Sequence, residues 1–483
     1  MVATLTGISA EEKLTSETGG DVTARYGTVE RNGRVGQEEE EECRKEGGDG
    51  RRNVVVDTEQ AELIGGGEER TLTNTMAFIH LFKTFTGPSI LGTPGIMQNG
   101  GLLLGPLGFI LIGYINTWCN VTVVKCCRIL CARLGKSSMT YEELMEESFL
   151  GYRQLPLLGK LAPHVRTATR VFLVVCQFGI LSFYIQIIGT TAQEHLTRAS
   201  DDYNLSLPWT ELFVCLLLIP YSWMRNLKIL SWFSLTANLL TLVSIVTIVQ
   251  YACANLQPIS QFPLVTPDPW TIPLFVGASV FTVEGIPMIL PLENKTKRPQ
   301  DYGGICGLIT MATTCNICLN VMVGFYGYLS VGDHVTGNIL VSLPEKGFYD
   351  AVSIVYSVAV FLTYTLQLYL PAEVMATSIK ARVKATWIQN NANWMSRTFI
   401  VVASYLFAAL IPKMELMMSL IGAFSTVVLV FIFPPVAELL VLANEPSGVP
   451  CHILVKDVAI FVFGGIAFVM GTYTSLRDII LSF

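Results

Sequence analysis

Residues 74–96 form an apolar segment of membrane-spanning length that contains residues which a continuous spanning helix avoids. These are a histidine, a lysine and five helix breakers: His80, Lys83, Gly87, Pro88, Gly92, Pro94 and Gly95. In lipid each unpaired backbone group costs several kcal/mol, so a simple anchor gains nothing from a break in mid-membrane. A break of this kind persists where it lines a cavity inside the protein, which makes the chain a candidate carrier.

The composition is that of a polytopic membrane protein. Of the 483 residues, 51% are hydrophobic and 14% are charged, whereas soluble domains hold about 25% charged residues. Acidic charge is concentrated in residues 1–73, which carry 17 acidic and 9 basic side chains and no apolar run. We therefore expect a disordered acidic cytosolic tail over residues 1–73 and a transmembrane domain over residues 74–483.

Two short patterns bear on where the protein resides. Glu59, Leu63 and Ile64 have the spacing of an acidic dileucine sorting signal, which predicts an endosomal or lysosomal address. The alternative is the plasma membrane, because such patterns also arise by chance. Asn204 opens an Asn-Leu-Ser sequon in the segment 194–208, where we expect a glycan if that loop is external.

Hydropathy predicts eleven spans, which we label 1 to 11 in chain order. They lie at about 74–96, 102–130, 168–193, 209–224, 229–253, 270–292, 304–330, 350–379, 395–412, 416–442 and 454–475. With a cytosolic N-terminus, eighteen Lys and Arg residues fall on the cytosolic side and four on the external side. This positive-inside bias predicts a cytosolic N-terminus and an extracellular or lumenal C-terminus.

The sixth span repeats the unusual character of the first. Residues 274–294 contain Gly277, Gly285, Pro287 and Pro291, with Glu284 near the middle. Interrupted spans at corresponding positions of two halves point to the central site of a transporter, so spans 1–5 and 6–10 predict a 5+5 inverted repeat. The alternative is that Gly and Pro make packing kinks, since both are common in membrane helices.

The chemistry of the predicted site follows from what a helix break exposes. Half-helix N-termini suit a carboxylate, while unwound carbonyls and half-helix C-termini suit an ammonium group. A zwitterion such as an amino acid satisfies both. The residues that we expect at the breaks are Thr86, Gly87, Pro88, Ser89, Ser279, Phe281 and Thr282.

Two titratable side chains are candidates for proton coupling. His80 could bind and release a proton, because histidine titrates near neutral pH. Glu284 could share that proton or neutralise a substrate amine. The structural alternatives are a neutral imidazole hydrogen-bonded between helices and a carboxyl bonded to unwound backbone.

Several segments resemble the proton-coupled amino acid transporters of the amino acid/auxin permease superfamily. They are His80-Leu-Phe-Lys83 with Gly87-Pro-Ser-Ile-Leu-Gly92-Thr-Pro94, Asn99-Gly100-Gly101, Arg225-Asn-Leu-Lys-Ile-Leu230, Pro291-Leu-Glu-Asn-Lys295, Gly327-Tyr-Leu-Ser-Val-Gly-Asp333, Leu366-Gln-Leu-Tyr-Leu-Pro-Ala-Glu373 and Pro434-Pro435. The resemblance implies an all-α LeuT-type fold of eleven helices and symport of small neutral amino acids with protons. It also implies a proton-linked role for His80.

This chain departs from the family pattern at the first break. The family typically has Gly-Thr-Gly where this chain has Gly87-Pro88-Ser89. A proline and a side chain there should narrow or stiffen the pocket.

Other classes of function are disfavoured. The sequence contains no convergent catalytic set, and the clusters Cys126/Cys127/Cys131 and Cys315/Cys318 lack supporting histidines, so we expect neither an enzyme nor a metal site. We expect no cofactor beyond the coupling proton. Two alternatives remain: a sodium-coupled or exchange carrier, and a transceptor that senses amino acids and signals through partners of the cytosolic tail.

Overall fold

The computed structural model describes residues 72–152, 156–199, 205–224, 227–304, 306–332, 335, 337–344, 347–383, 385–411, 413–445 and 448–482. The predicted sorting residues Glu59, Leu63 and Ile64 and the sequon residue Asn204 lie outside these ranges. The described α-helices, labelled in chain order, are α1 (Asn74–Phe85), α2 (Thr93–Leu134), α3 (Tyr141–Gly151), α4 (Pro156–Ala199), α5 (Leu207–Ser222), α6 (Leu227–Ala254), α7 (Thr271–Thr282), α8 (Ile286–Lys295), α9 (Leu308–Val331), α10 (Gly347–Arg382), α11 (Thr386–Leu410), α12 (Met414–Ile421), α13 (Phe433–Ala443) and α14 (Cys451–Leu481).

Eight helical segments of the described chain are long and apolar enough to cross a membrane. They are Pro88–Leu134, Leu157–Ala199, Thr236–Ala254, Thr271–Lys295, Leu308–Val331, Gly347–Ala381, Met414–Ala443 and Cys451–Leu481. Helix α5 is apolar but shorter. The polytopic, all-helical architecture is confirmed, and the count of eleven spans stays a prediction.

The first predicted span is interrupted where its sequence indicates. Helix α1 ends at Phe85, a 3₁₀ turn covers Pro88–Gly92, and α2 begins at Thr93. Gly87 is extended, with φ −80° and ψ 175°, because the ring of a following proline crowds a helical residue before it. Pro94 lies in the first turn of α2, where its missing N–H costs no hydrogen bond.

The sixth predicted span is interrupted as well. Helix α7 ends at Thr282, α8 begins at Ile286, and the backbone of Gly285 between them is not helical, with φ −167° and ψ 0°. Pro287 occupies the first turn of α8, where proline is tolerated. Gly277 lies inside α7 and Pro291 inside α8, so the interruption is confined to three residues.

A single glycine turns the chain between the first and second predicted spans. Gly101 has a left-handed φ of 86° inside α2, and a Cβ there would lie 2.9 Å from the carbonyl oxygen of Leu264. The amides of Leu102 and Leu103 donate to the carbonyls of Pro263 and Leu264 at 3.0 and 2.8 Å. The segment that leads into α7 is therefore pinned against this turn, which holds α7 beside the start of α2.

The start of α1 and the end of α8 are tied by main-chain hydrogen bonds. The amide of Leu72 donates to the carbonyl of Lys295 and the amide of Lys297 donates to the carbonyl of Leu72, both at 2.9 Å. Asn74 Nδ2 also donates to Asp301 Oδ2 at 2.7 Å. We call this end of the bundle, where α1 begins and α2 ends, the basic end.

Ion pairs link α2 to its neighbours at the basic end. Arg128 Nε lies 2.6 Å from Glu293 Oε1 on α8. Glu438 on α13 is buried and accepts from Lys125 on α2 at 3.2 Å and from Lys456 on α14 at 2.6 Å. Two lysines around one buried carboxylate compensate the charge that burial would otherwise leave unpaired. These pairs fix the last three turns of α2 relative to α8, α13 and α14.

Candidate functional site at the two helix breaks

The two interruptions are in contact. The Phe85 side chain, which is 1% exposed, packs against Gly285. A Cβ built on Gly285 would lie 2.3 Å from Phe85 Cε1, a distance that real carbon atoms do not adopt. The last residue of α1 thus occupies the space left by the missing side chain at the second interruption, and residues 200 positions apart form one site.

Side-chain amides from two neighbouring helices bind both interruptions. Asn116 Nδ2 on α2 donates to the unwound carbonyl of Val283 at 2.7 Å. Thr86 Oγ1 donates to Asn316 Oδ1 on α9 at 3.2 Å. Asn120 lies one turn from Asn116 and donates to its Oδ1 at 2.8 Å. The Asn116 bond replaces part of the hydrogen bonding that a continuous helix supplies internally, and the other two bonds link side chains.

The sequence analysis did not single out these asparagines. Two pairs occur at a spacing of four within apolar helices: Asn116 with Asn120 on α2, and Asn316 with Asn320 on α9. All four side chains are at most 1% exposed. Amide pairs on one helix face inside an apolar span are the signal that could have found them, because polar groups in membrane helices bond across helices.

One wall of the site is formed by α4 and by the π-helical turn Gly422–Thr426 that follows α12. The ring of Phe281 meets Phe183 of α4 edge to face, with 5.5 Å between ring centroids. A Cβ on Gly422 would lie 1.9 Å from the carbonyl oxygen of Gly277, so the two backbones touch. The wide turn lies directly beside the second interruption, a position typical of π-bulges at functional sites.

Some of the predicted substrate residues use their polar groups in hydrogen bonds within the protein, and others do not. Thr282 Oγ1 donates to the carbonyl of Ala278 at 2.8 Å, and Thr86 is held by an asparagine as described above. Ser279 is fully buried, and its Oγ has no hydrogen-bond partner within the described part of the chain. Gly87 and Pro88 contribute backbone at the first interruption, and Ser89 there is 6% exposed. Ser279 is therefore a predicted substrate residue whose hydroxyl is uncommitted among the described residues.

The two predicted proton-linked residues lie in different surroundings. Glu284 sits at the second interruption, is 9% exposed, and leaves Oε1 without a partner among the described residues. His80 lies on α1 outside the buried stripe of Ala77, Leu81 and Phe85, and it is exposed at the protein surface. The carboxyl thus belongs to the buried site, and the imidazole lies on the surface of the half-helix that leads to it.

The polar groups at the interruptions are backbone, hydroxyl, amide and carboxyl groups. Among the residues that the structure describes, no three His, Cys, Asp or Glu side chains are placed to hold a metal ion together. What this arrangement offers is two buried polar atoms near the second interruption, Ser279 Oγ and Glu284 Oε1, that have no partner among the described residues. Those groups can bind a small molecule that both donates and accepts hydrogen bonds.

Residues 70–477 match the family described as transmembrane amino acid transporter protein. This match covers most of the chain. The chain belongs to that family. Because the family consists of transporters, the prediction that the protein is not an enzyme is confirmed.

Curated relatives agree with this assignment. The transporter is 30% identical to the proton-coupled amino acid transporter-like protein pathetic of Drosophila melanogaster, over 85% of this chain and 86% of that protein. It is 26% identical to the probable amino acid transporter skat-1 of Caenorhabditis elegans, over 85% of this chain and 91% of that protein. The similarity to amino acid transporters that the sequence motifs indicated is confirmed.

The fold is similar to that of a solved structure. The structure of Mhp1 in its inward-facing conformation matches 85% of this chain and 90% of its own chain, with a TM-score of 0.53 and 15% sequence identity. The likeness at this identity concerns the fold alone, and it confirms the LeuT-type architecture that the resemblance implied.

The contact between the interruptions can be tested by one substitution that introduces a steric clash and a second that removes it. We expect Gly285→Ala to lower amino acid uptake about tenfold at normal surface expression, because overpacking costs about 1–3 kcal/mol and 1.4 kcal/mol is a factor of ten. Adding Phe85→Leu, which removes the ring that the new methyl meets, should recover uptake in the double variant. Uptake of radiolabelled amino acids in cells, normalised to surface protein, measures both effects.

Gly465→Ala on α14 is the matched control, because a Cβ at that position meets no atom within 4 Å. It should transport as the wild type does. Normal uptake by Gly285→Ala, or a double variant no better than the single one, would contradict the proposed role of this contact.

Proposed function

We propose that the transporter is a secondary active symporter of small neutral amino acids driven by protons, with the substrate bound at the two helix breaks. Membership of the amino acid transporter family supports the substrate class. The proposed location of the substrate site rests on the contact of Phe85 with Gly285, because this contact joins the two interruptions into one buried site. Ser279 and Glu284 then supply the uncommitted polar atoms.

Each end of a zwitterion would have a distinct partner. Helix α8 begins at Ile286, and the partial positive charge of its N-terminus suits the substrate carboxylate. The Glu284 carboxylate suits the ammonium group. Phe85 and Phe281 are large buried rings next to these groups, and with the Gly87-Pro88-Ser89 segment they would restrict the pocket to small side chains.

Two side chains would take part in proton coupling, one exposed and one buried. His80 is exposed on the surface of the protein, and histidine is the side-chain type that binds and releases protons near neutral pH, which suits a coupling group. The buried Glu284 can be neutralised either by a proton or by the substrate amine. When the coupling proton is on His80, the Glu284 carboxylate is available for the substrate amine, so that proton and substrate are bound at the same time, as symport requires. The proton is the only coupling species in this proposal, and no cofactor is invoked.

The topology that we propose has eleven spans in a 5+5 inverted repeat. Span 1 comprises α1, the 3₁₀ turn and α2 as far as Gly101, and span 6 comprises α7 with α8. The remainder of α2, α4, α5 and α6 would complete the first repeat, and α9, α10, α11 and α12 with α13 the second. Helix α14 would be the eleventh span. The basic end would face the cytosol.

We further propose that residues 1–73 are a disordered cytosolic tail and that residues 74–483 form the transporter domain. The tail would carry the sorting signal at Glu59, Leu63 and Ile64 and could bind signalling partners. The protein would then act in endosomes or lysosomes, or at the plasma membrane where the signal is not read. A glycan would be attached at Asn204 on the external or lumenal side.

Coupling is tested in proteoliposomes with imposed proton or sodium gradients. A pH gradient of one unit stores about 1.4 kcal/mol per proton, so symport with one proton should accumulate substrate about tenfold. His80→Ala should abolish this accumulation while retaining substrate exchange without a gradient. His452→Ala, at an exposed histidine near the start of α14, should behave as the wild type.

Uptake that depends on sodium and does not change with the pH gradient would support the sodium-coupled alternative and contradict proton coupling. Obligatory exchange without accumulation would indicate an exchanger. Substrate-dependent partner binding with little flux would indicate a transceptor. Wild-type pH dependence in His80→Ala would reject the role of His80 alone.

Orientation is tested through the glycan. The wild type should migrate faster in gel electrophoresis after treatment with an N-glycosidase, and Asn204→Gln should remove that shift. Asn294→Gln, at a sequon beside the basic end, should leave the shift in place, because a cytosolic sequon is not glycosylated. A glycan that depends on Asn294 would reverse the proposed orientation.

The sorting signal is tested by microscopy and surface labelling. Leu63→Ala combined with Ile64→Ala should move the protein from internal membranes to the cell surface, because the hydrophobic pair of the signal is lost. Leu5→Ala in the same tail is the control. An unchanged distribution of the double variant removes the proposed signal.

A further inference from the structure

Glu211 on α5 is a buried carboxyl that the proposed transport site does not use. It is the fifth residue of α5 and is 0% exposed. Neither Oε1 nor Oε2 has a hydrogen-bond partner among the described residues. In the same part of the chain, no basic side chain lies within ion-pair distance of it, unlike Glu438 and Glu293 at the basic end.

The helices around Glu211 make room for its side chain. Gly189 on α4 faces it, and a Cβ on that glycine would lie 2.6 Å from Glu211 Cγ. Two titratable groups lie near it: Tyr405 on α11, and Cys215 one turn later on α5. Tyr405 Oη donates its proton to the carbonyl of Pro208 at 3.3 Å, so it is engaged elsewhere. The carboxyl therefore lies in a space between α4, α5 and α11 that contains no compensating charge.

An ionised carboxylate would be very costly in this space. Removing an unpaired charge from water costs several kcal/mol even after the protein relaxes, whereas a neutral polar group without a partner costs about 1–3 kcal/mol. The neutral form is therefore the one that fits this packing. A leucine would fill the same volume without either cost, and what the carboxyl adds is a proton that can dissociate.

We propose that Glu211 is a second proton-binding site of the transporter, separate from the helix breaks, which is protonated while α4, α5 and α11 are packed as observed. Loss of this proton requires water to enter between the three helices. The packed arrangement is consequently favoured at acidic pH, and its stability falls as rising pH removes the proton. The site gives the transporter a response to pH that does not depend on His80 or Glu284.

The first test uses substrate exchange with equal pH on both sides of the membrane, so that no gradient drives net transport. We expect wild-type exchange to fall at alkaline pH, approaching tenfold per pH unit as expected for loss of one proton. Glu211→Gln keeps the shape of the neutral acid and should remain within about twofold across the same range. Asp478→Asn, at a carboxyl near the end of α14, is the control and should follow the wild type.

The same comparison in a His80→Ala background separates this inference from the proposed coupling mechanism. If exchange by His80→Ala/Glu211→Gln varies less with pH than exchange by His80→Ala, the Glu211 site is supported. This holds even if the accumulation experiment shows no proton coupling. An identical pH profile for wild type and Glu211→Gln would overturn the proposal.

A second measurement needs no variant and applies if Glu211→Gln fails to reach the membrane. Dicyclohexylcarbodiimide is an apolar reagent that modifies protonated carboxyls, and mass spectrometry locates the adduct. We expect labelling of Glu211 at neutral pH that declines as pH rises. Labelling that is absent at every pH, or that does not change with pH, would reject the assignment.

Discussion

The hydrogen bond from Asn116 to the carbonyl of Val283 satisfies a main-chain group that an interrupted helix leaves without a partner. A helix that stops inside an apolar bundle leaves backbone groups that neither lipid nor water can satisfy. The bond supplies a partner from a neighbouring helix, and at the other interruption the Thr86 hydroxyl donates to Asn316 Oδ1. Without the Asn116 amide, the Val283 carbonyl would be left without a partner inside the bundle.

Close packing at the interruptions follows from the same constraint. Gly285 receives the Phe85 ring, and Gly422 lies against the backbone of Gly277. This packing leaves some buried polar atoms near the interruptions without a partner among the described residues. Ser279 Oγ and Glu284 Oε1 are among them. The glycines therefore determine which polar groups remain uncommitted for a ligand.

The sequence predicted the interruptions because their causes are local. A proline constrains the residue before it and lacks an N–H, so Gly87-Pro88 and Gly285 with Pro287 could be identified without tertiary structure. The contact of Phe85 with Gly285 depends on how segments 200 residues apart pack, and no local pattern encodes it. Glu211 went unnoticed for a similar reason, since a carboxylate near the start of a helix is usually solvated and stabilising.

The main-chain pairing of Leu72 with Lys295 and Lys297 has a mechanical meaning. It joins the two half-helices of the basic end by hydrogen bonds that do not depend on side chains, while Arg128 and Glu293 join α2 to the same assembly. Outward rotation of α1 must therefore either break this joint or draw α8 with it. A force on the chain just before residue 72 would therefore act on α1 directly and on α8 through these main-chain hydrogen bonds.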